Sequence, residues 1–226
     1  MAFQQPSTAV TRTRSESILQ TNSVIRNTYI LLGSSLLFSA AMAGVAMATN
    51  APSLGLFSLL LYFGLLFFIN ATRNSVWGIV GVFALTGVMG YTLGPMLNYY
   101  MHTFVNGHQL IMTALGGTGV IFFGLSGYAL TSRKDFSYMG GFIMSGAIIL
   151  MLAVLVQIFF PMPVLQLALS AGFMLFSSAI ILFETSAIIH GGETNYIMAT
   201  VSIFVALYNL FISLLNILSM FSGNRD

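Results

Sequence analysis

The stretch that decides the fold is a helical hairpin, residues 183–216, with the sequence FETSAIIHGGETNYIMATVSIFVALYNLFISLLN. Its first arm contains Glu184, an acid embedded in a long apolar run. Its second arm carries small or polar residues at steps of four and three, which places them on one face of a helix. This polar stripe consists of Ser202, Ala206, Asn209, Ser213 and Asn216. The turn between the arms consists of His190, Gly191, Gly192 and Glu193.

The composition around this hairpin is that of a membrane protein. Of 226 residues, 57% are apolar and 5% are charged, whereas charged residues make up about a quarter of an ordinary soluble domain. Such a chain cannot cover a surface that faces water, but it can cover one that faces lipid. We therefore predict an all-α, polytopic membrane protein. The absence of cysteine excludes disulfides and thiolate metal sites, and the net charge of +2 is too small to indicate nucleic acid.

Seven apolar runs are long enough to cross a bilayer as helices. Together they predict a seven-helix transmembrane domain over residues 28–221. The polar stripe predicts that the last helix is buried, since such side chains seek partners in other helices. A polar segment, 1–27, precedes this domain and is predicted to be a flexible tail; a short tail, 222–226, follows it. The predicted spans are 28–48, 54–70, 76–97, 110–130, 139–160, 164–189 and 196–221.

The distribution of lysine and arginine predicts the orientation of these spans. With the N-terminus in the cytoplasm, six basic residues lie on the cytoplasmic side and only Arg225 lies outside, as the positive-inside rule requires. The C-terminus is then outside, and the turn at 190–193 is cytoplasmic. The six basic residues are Arg12, Arg14, Arg26, Arg73, Arg133 and Lys134.

Small residues recur at four-residue spacing within several spans, a pattern that lets helix backbones approach closely in lipid. Two interpretations are open: an interface between copies of the chain, or packing within one bundle. The frequency of the pattern favours packing within the bundle. The four stripes are Ser35/Ser39/Ala43, Ala40/Gly44/Ala48, Thr86/Gly90/Gly94 and Ser137/Gly141/Ser145.

Glu184 is the sharpest candidate for chemistry. A carboxylate inside the bilayer is costly unless it faces the bundle interior, and such residues are functional candidates by default. One interpretation is an ion-contacting or proton-sensing site, with the polar stripe as a hydrated path; the other is a structural acid, with the stripe holding helices together. Arg73, near the cytoplasmic end of the second span, is a candidate partner for the carboxylate.

Other patterns do not indicate catalysis, a metal or a cofactor. His102 and His108 are six residues apart with no acid nearby, which is weak evidence for a metal site. The glycine-rich run 116–119 has no preceding strand and no lysine, so it does not indicate a phosphate loop. The sequence contains no recognisable group of nucleophile, base and acid, and we do not expect an enzyme.

Several stretches resemble the Bax inhibitor-1 family of seven-helix membrane proteins, and within it the bacterial YccA-like branch. The third span has Phe83-Ala84-Leu85-Thr86-Gly87 followed by residues 91–97, YTLGPML. The hairpin has Phe183-Glu184-Thr185, then residues 188–197, IIHGGETNYI. It continues with Ala199-Thr200 and Asn209-Leu210-Phe211. The resemblance covers all seven spans and is specific in the third, sixth and seventh.

The resemblance implies a bundle whose last helix is wrapped by the other six. In family members that leak calcium, two acids in the last two helices pair, and their protonation gates conduction. The first of these acids falls on Glu184, and the second falls on Ala206, so this chain lacks the partner acid. The resemblance thus implies a pH-sensitive calcium or proton leak that is weakened here.

The resemblance to the YccA-like branch implies a different role. Members of that branch associate with the membrane-anchored, ATP-dependent protease FtsH and restrain its degradation of other membrane proteins. This implies a non-enzymatic modulator in the bacterial inner membrane. The N-terminal tail, which could extend at most about 90 Å, is a candidate segment for contact with the protease.

Overall fold

A computed structural model describes residues 8–222, with side chains described for residues 22–222. All regular structure in this part of the chain is helical, which confirms the predicted all-α class. The seven helices are α1 (Thr8–Ala48), α2 (Leu56–Thr72), α3 (Val76–Thr103), α4 (Gly107–Ser132), α5 (Met139–Phe159), α6 (Pro163–His190) and α7 (Tyr196–Ser222).

The first helix begins far earlier than the span predicted for it. Residues 8–27, which lie in the predicted tail, are helical and continuous with the span. This segment contains neither proline nor glycine, so nothing in its sequence interrupts a helix propagating from the membrane. Residues 1–7 and 223–226 lie outside the described part of the chain, and the flexibility of the two predicted tails stays a prediction.

Six helices are long and apolar enough to cross a bilayer, counting α1 from Asn22. The exception is α2, which has 17 residues and extends about 26 Å at 1.5 Å per residue. It is highly apolar nonetheless, and 17 residues is about the lower limit for a transmembrane helix. The chain is therefore a polytopic helical membrane bundle, in which α2 is the shortest element.

The last helix occupies the centre of the bundle, as predicted. It packs against α6, α4, α1, α3 and α2, and Ile203, Phe204 and Leu210 on it are almost fully buried. The expectation that all six other helices wrap it is wrong for α5, which packs only on α6 within the described residues. None of the α5 side chains is buried. A helix that is apolar on every side can face lipid around most of its circumference and does not need to be enclosed by other helices.

Two of the four small-residue stripes pack α1 against α3. Ser35, Ser39 and Gly90 are buried at this contact. A Cβ atom added to Gly90 would collide with the backbone of Ser39, and one added to Gly94 would collide with Ala46. These positions require glycine because the backbones are in close approach. The other two stripes, Ala40/Gly44/Ala48 and Ser137/Gly141/Ser145, are exposed on the isolated chain.

Candidate functional site

The turn of the α6–α7 hairpin ends one helix and starts the next. Gly191 has a φ of 76° in the left-handed region, where a residue with a side chain would be strained. The Gly192 N–H donates to the Ala187 carbonyl at 2.8 Å, which satisfies one of the last carbonyls of α6. Glu193 follows, and its Oε1 accepts from the Asn195 N–H at 2.6 Å. His190, which ends α6, is exposed.

Asn195 is the residue that joins this hairpin to the α2–α3 turn. Its Oδ1 accepts from the N–H groups of Ile197 and Met198 at 3.0 and 3.1 Å, which is an N-cap for α7. Its Nδ2 donates to the Arg73 carbonyl at 2.9 Å and to Asn74 Oδ1 at 3.0 Å. One amide side chain therefore starts the central helix and ties it to a second turn.

Replacing Asn195 with alanine should lower the free energy of unfolding by about 1–2 kcal/mol, because the cap and the inter-turn bonds are both lost. Asn195→Asp retains the cap acceptor but lacks the Nδ2 donor, so it should fall between wild type and alanine. Thr194→Ala, at an exposed neighbour, is the control and should change little. Thermal unfolding in detergent measures all three. Equal stability of Asn195→Ala and Thr194→Ala would contradict the assigned role.

Glu184 lies in α6, six residues before its end, or about 9 Å along the helix axis. The side chain is half-buried, and it interacts with the Ser202 hydroxyl of α7. Glu193 is a nearby acid that adds negative charge. The structure therefore brings the predicted acid to the first residue of the predicted stripe. Arg73, predicted as a candidate cationic partner, is exposed, and its backbone carbonyl accepts from Asn195 Nδ2.

The stripe on α7 is buried to different degrees along its length. Ser202, Asn209 and Asn216 are half-buried, whereas Ala206 and Ser213 are 1% and 3% exposed. Asn216 Oδ1 accepts from the Tyr100 hydroxyl of α3 at 2.6 Å. Ala206, where the resemblance places the second acid, interposes a buried methyl group one turn beyond Ser202. The polar groups therefore do not form an unbroken row.

A small cavity of about 280 Å³ reaches the stripe at Asn209, between α2, α3 and α7. Tyr62 and Tyr208 are among the residues that line it. Tyr208 pairs with Thr92 of α3, with 3.1 Å between the two hydroxyl oxygens. Sequence reasoning missed this pair, because Tyr208 is adjacent to the stripe in sequence and nothing local indicates its partner on another helix.

Sequence reasoning also missed a polar contact between α6 and the loop joining α4 to α5. The Ser186 hydroxyl accepts from the Phe136 N–H at 3.0 Å and donates to the Lys134 carbonyl at 3.2 Å. His190 Nε2 lies 3.1 Å from the Arg133 carbonyl oxygen. A serine at a buried helix position and a histidine one turn later were the available signals, but neither indicated the loop.

The same loop contains an exposed acid, Asp135. Its Oδ1 accepts from the Ser137 N–H at 2.8 Å, and this backbone hydrogen bond holds the pKa of Asp135 below its ordinary value. At a pH above the ordinary pKa of an aspartate, the hydrogen bond therefore stabilises the loop fully. This contribution is lost as the pH falls through the lowered pKa of Asp135.

The two histidines of the α3–α4 region lie on the surface. His102 is in the last turn of α3 and His108 is in the first turn of α4, and both are exposed. Within the described residues, no cluster of three metal-ligating side chains is present. The glycine-rich run 116–119 lies inside α4, in continuous helix.

Fold and site together define a polytopic helical membrane protein with a half-buried acid against its central helix. Residues 21–223 match the family described as "Inhibitor of apoptosis-promoting Bax1". The chain belongs to that family. It is 53% identical over 206 residues to an uncharacterized protein of Pseudomonas aeruginosa, covering 91% of this chain and 92% of the relative.

Two relatives from Escherichia coli are equally similar to the chain. One, from strain K12, is named "Modulator of FtsH protease YccA", and the other, from strain CFT073, is named "Inner membrane protein YccA". Each is 49% identical over 211 residues, covering 93% of this chain and 94% of the relative. The predicted resemblance to the family and to its YccA-like branch is therefore confirmed.

Proposed function

We propose that this protein is a non-enzymatic modulator that binds the membrane ATP-dependent protease FtsH and restrains it in the bacterial inner membrane. The observation that carries the proposal is the 49% identity, over 93% of the chain, to a protein named as a modulator of that protease. Identity at this level over nearly the full length is compatible with a shared binding surface as well as a shared fold. The inner-membrane location is supported by the name of the second relative.

The proposal includes an orientation. The excess of lysine and arginine on one side supports a cytoplasmic N-terminus and a periplasmic C-terminus. The α6–α7 turn and the Ser186 contact with the α4–α5 loop are then both cytoplasmic. Residues 8–21 are the part of α1 that precedes the span, which is counted from Asn22. In helical form this segment extends about 21 Å beyond the span, which is far enough to contact a neighbouring protein.

The test is affinity purification of the full chain from native membranes, together with the degradation rate of membrane substrates of FtsH. We expect the protease to co-purify and its substrates to persist longer when the chain is overproduced. Removal of residues 2–20 should weaken both effects, whereas removal of residues 223–226 is the control and should leave them unchanged. Failure of the intact chain to recover the protease or to slow substrate turnover would contradict the proposal. A full effect from the chain lacking residues 2–20 would exclude the N-terminal segment as the contact.

A second candidate function is a pH-sensitive calcium or proton leak. The observation that favours it is the half-buried Glu184 beside Ser202, at the start of the α7 stripe. The buried Ala206 in the middle of that stripe limits the candidate to a weak leak. If it operates, Glu184→Gln should reduce ion flux into liposomes without affecting recovery of the protease.

A further inference from the structure

A long apolar groove runs between α1 and α4. It has a volume of about 490 Å³, within the range of small-molecule sites. Both helices pack on α7. In the described part of the chain, α1 and α4 make no close backbone contact, although the rings of Tyr29 on α1 and Phe122 on α4 lie 6.0 Å apart. The groove therefore has α7 and α3 as its floor and is open at the side, where a membrane-spanning chain faces lipid hydrocarbon.

We propose that this groove binds one acyl chain of a membrane phospholipid. Along α1 the groove extends from Leu36 to Met47, and along α4 from Ile111 to Phe123. These segments measure about 16–18 Å at 1.5 Å per residue. The hydrocarbon core is about 30 Å thick, so the groove matches the depth of one leaflet.

The ends of the groove agree with this placement. Met47 is one residue before the end of α1, and Ile111 is in the first turns of α4. One end of the groove therefore lies near the membrane surface on the side where α1 ends. Leu36 and Phe123 lie near the middle of their spans, so the other end reaches about the centre of the bilayer. An acyl chain has this extent, from headgroup to midplane.

The cross-section of the groove favours a hydrocarbon chain over a protein helix. Its volume divided by its length is about 30 Å², whereas a helix with side chains, 10–12 Å across, needs about 80 Å² or more. A transmembrane helix of another protein could cover the groove but could not enter it.

The polar groups of the lining have partners or face away. Thr118 Oγ1 donates to the Ala114 carbonyl at 2.7 Å, and the Tyr208 hydroxyl pairs with Thr92. Ser39 is turned against Gly90 and is 5% exposed. Aromatic and aliphatic side chains, including Phe204 and Phe211, provide most of the remaining surface. A ligand that needs hydrogen bonds would leave them unmade here, whereas an alkyl chain has none to lose.

Two glycines allow the groove to be filled without disturbing the bundle. A Cβ at Gly44 or Gly119 would meet no atom within 4 Å, so a leucine there extends into open space. Gly33 on α1 and Gly127 on α4 are equally unobstructed and do not line the groove. The four substitutions add the same side chain to the same two helices, inside or outside the groove.

The experiment is native mass spectrometry of the full chain, purified in detergent and supplied with palmitoyl-oleoyl phosphatidylethanolamine and phosphatidylglycerol. We expect wild type, Gly33→Leu and Gly127→Leu to retain one phospholipid. Gly44→Leu and Gly119→Leu should bind it about tenfold more weakly, measured as the Kd in a lipid titration. Equal retention by groove and control variants, or none by the wild type, would overturn the proposal.

A second measurement separates a bound chain from ordinary boundary lipid. A phospholipid with a photoreactive group at the end of one acyl chain should label peptides containing Leu36 or Phe123 in wild type, and less so in Gly44→Leu. The side of α5 that faces away from α6 serves as the reference surface, since no α5 side chain is buried, and it should be labelled equally in both. Labelling that tracks exposure alone would overturn the proposal even if a groove variant fails to fold. A co-purified protein helix that protects the groove from labelling would overturn it as well.

Discussion

Gly90→Ala is expected to lower the free energy of unfolding by about 1–3 kcal/mol, the usual cost of overpacking a filled site. The added methyl group would lie 2.7 Å from the Ser39 hydroxyl oxygen and 2.8 Å from its carbonyl carbon. The collision involves backbone atoms of Ser39 in the neighbouring helix as well as its hydroxyl, so a side-chain rotation cannot relieve it. α1 and α3 would have to separate, and Gly90→Leu should prevent assembly of the bundle.

The matched control is Gly124→Ala on α4, where an added Cβ meets nothing within 4 Å. Alanine is favoured over glycine inside a helix by up to about 1 kcal/mol, so this variant should be as stable as wild type or slightly more so. Thermal unfolding in detergent, followed by the fluorescence of Trp77 at the start of α3, compares them directly. Gly90→Ala with the stability of Gly124→Ala would show that the α1–α3 contact is not close in the protein.

Ala206→Asp should create a pH-dependent cation flux that the wild type has weakly or not at all. Ala206 is 1% exposed on α7 and lies one turn from Ser202, which interacts with Glu184. An aspartate there would place a second carboxyl on the face of α7 that Ser202 shares, in addition to Glu184 on α6. Two close carboxyls share a proton and titrate as a pair. Because carboxylates bind calcium only when ionised, the flux should increase as the pH rises.

An acid inside the membrane also has a cost in stability, about 2.5–3.5 kcal/mol for aspartate near a helix centre. The variant should therefore lose stability as well as gain flux. Ala206→Asn is the control, since it has similar volume and polarity but does not titrate. The measurement is calcium uptake into liposomes at acidic and alkaline pH, with the Glu184→Gln, Ala206→Asp double variant alongside. Equal flux through the Asn and Asp variants, or no pH dependence, would refute the two-acid interpretation.

The two predictions probe different properties of one bundle. Gly90 tests how closely α1 and α3 approach, which concerns stability. Ala206 tests whether the α7 stripe has lost an ion-binding function that the family resemblance implies. If Gly90→Ala is destabilised as expected and Ala206→Asp still shows no flux, the results would favour modulation of the protease as the main function.

The helix assignments were predictable because lipid leaves few alternatives. A chain that is 57% apolar with runs of about twenty residues must satisfy its backbone hydrogen bonds within each span, which requires helices. The 3.6-residue period of a helix made the α7 stripe recognisable in the sequence. Its burial was predicted from the polar side chains at steps of three and four. The start of α1 was less predictable, because a polar segment without helix breakers has no signal that distinguishes helix from coil.

Partners across helices could not be predicted, because no rule of local sequence specifies them. The bonds of Asn195 to Arg73 and of Ser186 to Lys134 join residues more than fifty positions apart. The exposure of Arg73 also depends on how α2 and α3 pack. These contacts arise when a small number of polar groups, excluded from lipid, find each other inside the bundle.

The sequence by itself determined the class of protein, the number of helices and the burial of α7, since each depends on composition or period. The correspondence of Glu184 and Ala206 to a pair of acids is what the family resemblance implies. Only the tertiary structure decided that Ser202 lies against Glu184, that α1 packs closely on Gly90 and Gly94, and that α5 does not contact α7 within the described residues. It also decided that α1 and α4 leave a groove between them. The physical reason is that spacing along a helix is a property of the chain, whereas the space between helices depends on which faces pack together.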